Sequence, residues 1–310
     1  MQNNTSNITR SFGVEFEFAG GGSRTNVAAA IRSKGVDCNV EGYNHRTQRY
    51  WKIVTDASLR GRNPGELVSP ILTGEEGIVE MKKALDAASD LTKVNASCGF
   101  HCHVDVRDFS LNELKNLVKL WLQSEDAIDA VLAPSRRGRS SRWAPTAMSV
   151  NGNSSAATRN EENKRWFGII NACRSKEQLA RVFGTRYTKL NLFNIATRGA
   201  VEFRCHQGTL NQAKAEHWVR LCVALVESAR QYRFIRPRKS TKRGLARLAD
   251  VFVTLGVKGA TAKFLKERAE SFTARGRRAA QPSATFPHRG EIQVPAPAQA
   301  NPENPFCRYR

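Results

Sequence analysis

Three short segments, far apart in the chain, alternate chemistry-bearing side chains with apolar ones. They are Phe12-Gly13-Val14-Glu15-Phe16-Glu17-Phe18, Gly99-Phe100-His101-Cys102-His103-Val104-Asp105-Val106 and Ala200-Val201-Glu202-Phe203-Arg204-Cys205-His206-Gln207. Successive side chains of a strand point to opposite faces. Glu15 and Glu17 therefore share a face, as do His101, His103 and Asp105, and likewise Glu202, Arg204 and His206. A merely solvated strand face carries mixed Lys, Thr, Ser and Gln. These faces carry carboxylate, imidazole and one guanidinium, with no Lys. Unpaired charge is costly to bury, so such faces call for a compensating partner, and divalent metal with a polyphosphate supplies one. Glu66 is a third acid at a strand start and Glu202 a fourth. Mg²⁺ is held by a few carboxylates plus substrate phosphates, and two such ions can clamp a phosphoryl group in transfer. Arg204, beside Glu202, can neutralise charge on that group. The imidazole of His101 suits Mn²⁺ or Zn²⁺ better than Mg²⁺, or it can donate a hydrogen bond to phosphate.

The elements that must position these residues follow from pattern. Strands are expected at 11–19, 50–56 and 65–71, the last two joined by a Gly/Arg/Asn/Pro turn. Helices are expected at 25–34 and 75–90. Ser110-Leu111-Asn112-Glu113 is a capping box that opens an amphipathic helix to about Leu132. Residues 134–164, rich in Ser, Asn and Arg, read as a long loop whose Arg136, Arg137, Arg139 and Arg142 are expected in solvent. Residues 165–184 are partly helical, 186–195 and 199–206 are paired strands, and helices follow at 212–232, 243–254 and 259–272. The fold class is α+β: a curved, mainly antiparallel sheet with helices packed on one face. The domain reading is a catalytic unit at 1–236, a helical extension at 237–275, and a Pro/Ala-rich basic tail at 276–310 without periodicity, expected to be disordered.

The chain has 310 residues and a formal net charge of +21. Residues 233–310 hold 17 Lys and Arg against 5 Asp and Glu. Anionic partners are expected, including a polyanion contact through the basic tail. Seven cysteines at irregular spacing, several inside apolar periodicity, read as reduced thiols of a cytoplasmic protein. The polar N-terminus shows no signal peptide, and no stretch approaches a membrane span. Cys98-x-x-His101-Cys102-His103 is a poor zinc site, because alternation separates its thiols from its imidazoles and no second pair has finger-like spacing.

The three segments, with Trp51-Lys52-Ile53-Val54-Thr55-Asp56-Ala57-Ser58, Gly65-Glu66-Leu67-Val68-Ser69-Pro70 and Arg186-Tyr187-Thr188-Lys189-Leu190-Asn191-Leu192, resemble the amidoligases. These are ATP-dependent carboxylate–amine ligases related to glutamine synthetase and glutamate–cysteine ligase. The resemblance spans about residues 11–232. It implies a glutamine synthetase-like sheet holding ATP and two Mg²⁺ (or Mn²⁺) ions on its concave face. Glu15, Glu17, Glu66, His101 and Glu202 would ligate metal. Arg204 would contact the transferred phosphate, and Arg186 and Asn191 would face nucleotide or substrate. Asp56 and Ser58 would position phosphate or metal, with His206, Gln207 and Thr209 at the substrate end. The implied reaction joins a carboxylate substrate to an amine substrate through an acyl phosphate, which needs no protein nucleophile. No general base stands out; Asp105 and Glu41 are the acids at hand. For Arg136, Arg137, Arg139 and Arg142, the alternative to a solvated loop is that they serve ATP, a polyanionic substrate or a macromolecular acceptor.

Two other readings compete. A two-metal nuclease or phosphotransferase would use the same acids and the basic charge. A non-catalytic nucleic-acid-binding protein would use the basic C-terminal quarter, although 243–272 offers no convincing recognition helix. Neither reading fixes an oligomeric state.

Overall fold

The computed structural model describes residues 8–138, 144–148 and 155–279, with backbone alone for 275–279. In chain order the elements are β1 (Ser11–Phe18), α1 (Arg24–Ser33), β2 (Cys38–Val40), β3 (Trp51–Val54), β4 (Gly65–Val68), β5 (Leu72–Thr73), α2 (Gly74–Ser89) and β6 (Gly99–Asp105). Then come α3 (Leu111–Ile128), α4 (Ala156–Ala172), α5 (Lys176–Ala180), β7 (Leu190–Asn191), β8 (Ala200–Gln207), α6 (Gln212–Arg230), α7 (Leu245–Thr254) and α8 (Gly259–Ala279). The strands form one sheet in the order β2-β3-β4-β1-β6-β8-β7, with β5 pairing the start of β1. Only β2 and β3 run parallel among these pairs; the others are antiparallel. The fold is α+β, as expected.

Alternation gives the sheet two unlike faces. Phe12, Val14, Phe16 and Phe18 of β1, Phe100, Cys102 and Val104 of β6, and Val201 and Phe203 of β8 are all buried in one apolar core. Helices α1, α2, α3 and α6 contribute Ile31, Met81, Leu117, Trp121, Trp218 and Leu221 to that core. Phe16 stacks on Phe100 with centroids 4.4 Å apart, and Trp121 meets Phe203 edge-on at 5.6 Å. The helix layer thus fixes which face of each strand is apolar, and the chemistry-bearing residues project from the other. Register follows from the same constraint, since a one-residue slip would invert every side chain. The capping box at α3 is present in both directions: the Ser110 side chain accepts from the Glu113 backbone, and Glu113 accepts from the Ser110 backbone.

Three expectations need correction. Residues 186–195 do not form a long strand; β7 is two residues, because the Thr188 hydroxyl donates to Leu190 O and Asn191 Oδ1 accepts from Phe193 N. Those local bonds draw the backbone out of the ladder. Residues 134–164 are not one loop. Pro134–Arg136 is a 3-10 turn, and α4 begins at Ala156 under a Ser155 cap. Its first two turns offer only alanine as apolar side chains, so periodicity hides it. Strand β2 is too short for alternation to reveal. The third correction concerns β8. Phe203 pairs with Cys102 but His206 pairs with Phe100, so three steps on β8 match two on β6. This bulge flips His206 away from Glu202 and Arg204, onto the apolar face, where its ring meets Phe100 and Trp218.

The tail expected to be disordered lies outside the described residues from 280 onward, as do Arg139, Arg142 and Cys307. Helices α7 and α8 pack on the helix layer through Leu248, Val251, Phe252 and Leu265. No helix among the described residues is long and apolar enough to cross a membrane.

Strand β8 is followed by Gly208, whose N–H donates to Cys98 O at 2.8 Å. A Cβ there would lie 2.5 Å from Cys98 Cβ and 3.0 Å from its carbonyl carbon. Gly208→Ala is expected to lower stability by about 1–3 kcal/mol, read as a fall in urea midpoint at unchanged slope.

Candidate active site

Registration across four strands assembles the polar face. Glu17 pairs with Glu66 across β1 and β4, Glu15 with His101 across β1 and β6, and His103 with Glu202 across β6 and β8. Asn191 of β7 stands opposite Glu202. The result is a row of titratable groups across the middle of the sheet. His101 lies between three carboxylates: Nδ1 is 3.0 Å from Glu15 Oε2 and 3.7 Å from Glu202 Oε1, and Nε2 is 3.7 Å from Glu17 Oε1. His103 Nε2 lies 3.1 Å from the other oxygen of Glu15. Glu202 is held from both sides, by Asn191 Nδ2 at 2.6 Å and by the Arg204 guanidinium. Glu17 accepts from the backbone N–H of Gly99.

The electrostatics are unbalanced along this row. Burial works against the charge of Glu15, but His103 and His101 hold its carboxyl well below the usual range. Glu202 is likewise lowered against burial, by His103, Arg204 and His101. Burial opposes charge on His103 too, yet Glu15 and Glu202 raise it to about 9. Glu66 goes the other way. Burial first, then the carboxylates of Glu15, Glu17, Asp56 and Glu202, push it well above the ordinary value. One end of the row therefore carries more negative charge than its own cations neutralise.

A cavity of about 440 Å³ opens over this row. Glu15, Glu17, Glu66, His101, Glu202, Arg204, Asp56, Ser58, Arg186 and Asn191 all line it. Asp56 and Ser58 sit on the loop after β3, where Ser58 N donates to Asp56 Oδ1 at 2.7 Å. Arg186, on the exposed loop before β7, donates to Tyr187 Oη at 2.9 Å. Other expected residues lie elsewhere. His206 is buried beneath the sheet and held far below its usual value by burial and by Arg268. Gln207 accepts from Ala133 N and, with Thr209, lines a separate cavity beside α8. Glu41 is bonded to Tyr50 and Asn44, and Asp105 to Arg107, so neither acid points into the site as a free base. Cys98 and Cys102 are buried, and none of the metal-compatible groups among the described residues contains a thiol.

Two contributions escape the sequence pattern. Tyr43 and His45 line the cavity from a polar loop without periodicity. That loop is pinned from below by Lys52, only 2% exposed, whose Nζ donates to Asn44 Oδ1 at 2.6 Å and to Arg46 O at 2.7 Å. The second is Arg136, expected in solvent but 7% exposed and lining the cavity. Its guanidinium donates to Cys98 O and meets no carboxylate within ion-pair distance among the described residues. Burial lowers its pKa, with Glu17 opposing. The turn carrying it is clamped by Asp129, which accepts from Gly138 N at 2.8 Å and pairs with the fully buried Lys189. A cluster of arginines in 134–142 was the one signal, and it does not say which member turns inward.

Donor geometry fits divalent metal. Three overlapping groups, Glu15–His103–Glu202, Glu15–Glu66–His101 and Glu17–Asp56–Glu66, each place ligand atoms within 4.8 Å of one another. Their oxygen-rich donors match Mg²⁺ or Mn²⁺ rather than a thiolate-seeking ion. An anion has a place too: the Nε of Arg204 is buried without a hydrogen-bond partner.

No curated protein matches the chain in sequence. Among solved structures, a bifunctional glutathione synthetase from Pasteurella multocida is similar at 14% identity, over 87% of this chain and 49% of that one, with TM-score 0.38. A structure described as a novel glutamine synthase homolog is similar at 12% identity, over 90% of this chain and 69% of that one, with TM-score 0.41. The chain thus spans about half the length of the glutathione synthetase. A family model described as "Putative amidoligase enzyme" matches residues 8–226, well over half of the sequence, and the chain belongs to that amidoligase family.

Proposed function

We propose that the protein is an ATP-dependent carboxylate–amine ligase that forms an amide through an acyl phosphate. One observation carries this reading: four glutamates and a histidine converge on the same cavity as Arg204 and Arg136. Acids in excess bind divalent cations, and the buried Arg136 and part-buried Arg204 can donate to phosphate oxygens. Glu15, Glu17, Glu66, His101 and Glu202, with Asp56, would hold Mg²⁺ or Mn²⁺. When bound, such ions neutralise the charge of a transferring phosphoryl group. Arg204, oriented by Glu202, and Arg136, oriented by Cys98 O, offer guanidinium donors to phosphate oxygens on the other side. Asn191 fixes the Glu202 carboxylate. Arg186 reaches in from an exposed loop and suits a group that must enter and leave.

The substrate carboxylate attacks the γ-phosphorus of ATP, releasing ADP. The amine then attacks the acyl carbon and phosphate leaves. No side chain becomes covalently modified, consistent with cysteines that all lie buried among the described residues. Those reduced thiols also suit a cytoplasmic protein.

The test is ADP release with Mg²⁺ or Mn²⁺ against pooled carboxylates, with hydroxylamine as the amine so that acyl transfer appears as hydroxamate. Turnover requiring both a carboxylate and ATP is expected. Metal-dependent cleavage of DNA or RNA without ATP would replace this reading with a nuclease. Arg204→Ala is expected to lower kcat by about 10²–10³-fold, the usual loss when one preorganised donor to a developing charge is removed.

Metal binding has its own readout. Mg²⁺ or Mn²⁺ at about one hundred times its Kd is expected to stabilise the protein by about 2.7 kcal/mol. The rise in melting temperature should disappear on EDTA addition and in Glu15→Gln, which removes a donor common to two of the three groups.

Arg136→Met separates function from stability. A buried, unpaired cation is a burden on the empty protein, so melting temperature should hold or rise while kcat/KM for ATP falls at least tenfold. A variant that is less stable and equally active would remove Arg136 from the phosphate site.

A further inference from the structure

Between α6 and α7 the chain crosses the outer side of the helix layer as an extended strap, residues 231–244. Amide side chains pin its backbone. Asn112 donates to Arg233 O at 2.6 Å, and Asn116 donates to Tyr232 O at 2.7 Å and accepts from Ile235 N at 3.1 Å. Gln123 donates to Arg236 O at 3.2 Å and accepts from Arg238 N at 3.1 Å. Asn160 of α4 brackets Ser240 in the same way. Asn116 and Gln123 are buried, 0% and 4% exposed, so these bonds are shielded from water.

A strap so tightly held has no need of its side chains for attachment, and their chemistry is one-sided. Arg233, Arg236, Arg238 and Lys239 are all exposed. None of the four has an acidic partner among the described residues, whereas nearby Lys242 pairs with Asp250 and Arg247 with Asp126. Phe234 stands 50% exposed among them, with the Arg236 guanidinium 4.9 Å from its ring centroid. Beside them lies a cavity of about 400 Å³ between α3, the strap and α7, walled by Leu120, Ser124, Phe234, Val251 and Thr254.

We propose that the strap is a docking surface for single-stranded nucleic acid. Cations track the phosphates, Phe234 offers a face on which a base stacks, and the adjoining cavity accepts a base edge or sugar. Fixed cations interleaved with an exposed aromatic are the recurring means of gripping a single strand without sequence preference. An acidic polypeptide would satisfy the cations but leaves the ring and cavity without a flat partner. Pinning the backbone in advance reduces the ordering cost of binding. This surface belongs to the helix layer, away from the acidic face, and does not depend on the ligase reading.

The experiment uses the full chain and a fluorescein-labelled 20-mer of oligothymidylate, with anisotropy followed from low to physiological salt. Salt-dependent binding is expected. The triple variant Arg236→Glu, Arg238→Glu, Lys239→Glu should bind at least tenfold more weakly at fixed salt, with its log–log salt slope reduced by about 2. Phe234→Ala should weaken binding several-fold with the slope unchanged, the signature of lost stacking rather than lost charge. Circular dichroism and unchanged metal-dependent stabilisation establish that both variants fold. Glu15→Gln should bind the oligonucleotide as the parent does. The proposal fails if the parent does not bind at low salt. It fails if the triple variant binds equally well, since the cations would then lie elsewhere, or if polyglutamate of matched charge competes as effectively as oligothymidylate.

Discussion

Everything around the cavity answers to the repulsion between carboxylates held on neighbouring strands. Glu17 faces Glu66 across the ladder, and Glu15, Asp56 and Glu202 are close enough to drive Glu66 toward its protonated form. Like charges directly opposite on a sheet are destabilising, and burial makes the penalty larger. A polar strand face with no binding role could relieve this with a single Lys. The chain instead relieves it unevenly. His103 sits between Glu15 and Glu202 and holds its proton to about pH 9, while burial and the surrounding carboxylates push Glu66 well above its ordinary value.

That repulsion can be sustained because the opposite face leaves the strands no alternative register. Phe12, Val14, Phe16 and Phe18 on β1, with Phe100 on β6 and Phe203 on β8, are each at most 2% exposed. Sliding β1 by one residue would bring four aromatic or aliphatic side chains into the cavity and four polar or small ones into the core. Burying a side chain of this size is worth about 1.5–3 kcal/mol, so the slip is far costlier than the repulsion it would relieve. Packing on one face therefore enforces electrostatic strain on the other.

How much of this is legible in sequence depends on whether local alternation carries the information. It does for Glu15 and Glu17, for His101 and His103, and for Glu202 and Arg204, where regular strands make facing a matter of counting. It fails at His206, because one bulge reverses the count and nothing in Arg204-Cys205-His206-Gln207 announces it. The short β7 is hidden for a related reason: side-chain bonds from Thr188 and Asn191 end a ladder that the residue types alone would extend. Arg136 lies beyond local reading altogether. Its inward turn is set by Asp129 on the end of the α3 segment and Lys189 before β7, residues 60 apart that meet only when the layers close. The strap is an intermediate case. Its charge is plain in the sequence, but its rigidity comes from Asn112, Asn116 and Gln123, more than a hundred residues earlier.

The acids and arginines of the cavity have a further consequence when considered as a set. Arg204 is already engaged with Glu202, and His103 with Glu15. A polyanion entering alone would compete with these carboxylates for the guanidinium, and a cation entering alone would compete with the imidazolium and guanidinium for the carboxylates. Each ligand by itself must therefore displace an existing pair. Entering together, they complement both sets of side chains and each other, so the cost of breaking the internal pairs is met once rather than twice. If the proposed ligase reading holds, reciprocity requires that metal tighten nucleotide binding by the same factor that nucleotide tightens metal binding. On the proposed ligase reading, the internal ion pairs hold the carboxylates and Arg204 in place and favour metal and phosphate entering as a unit over either alone.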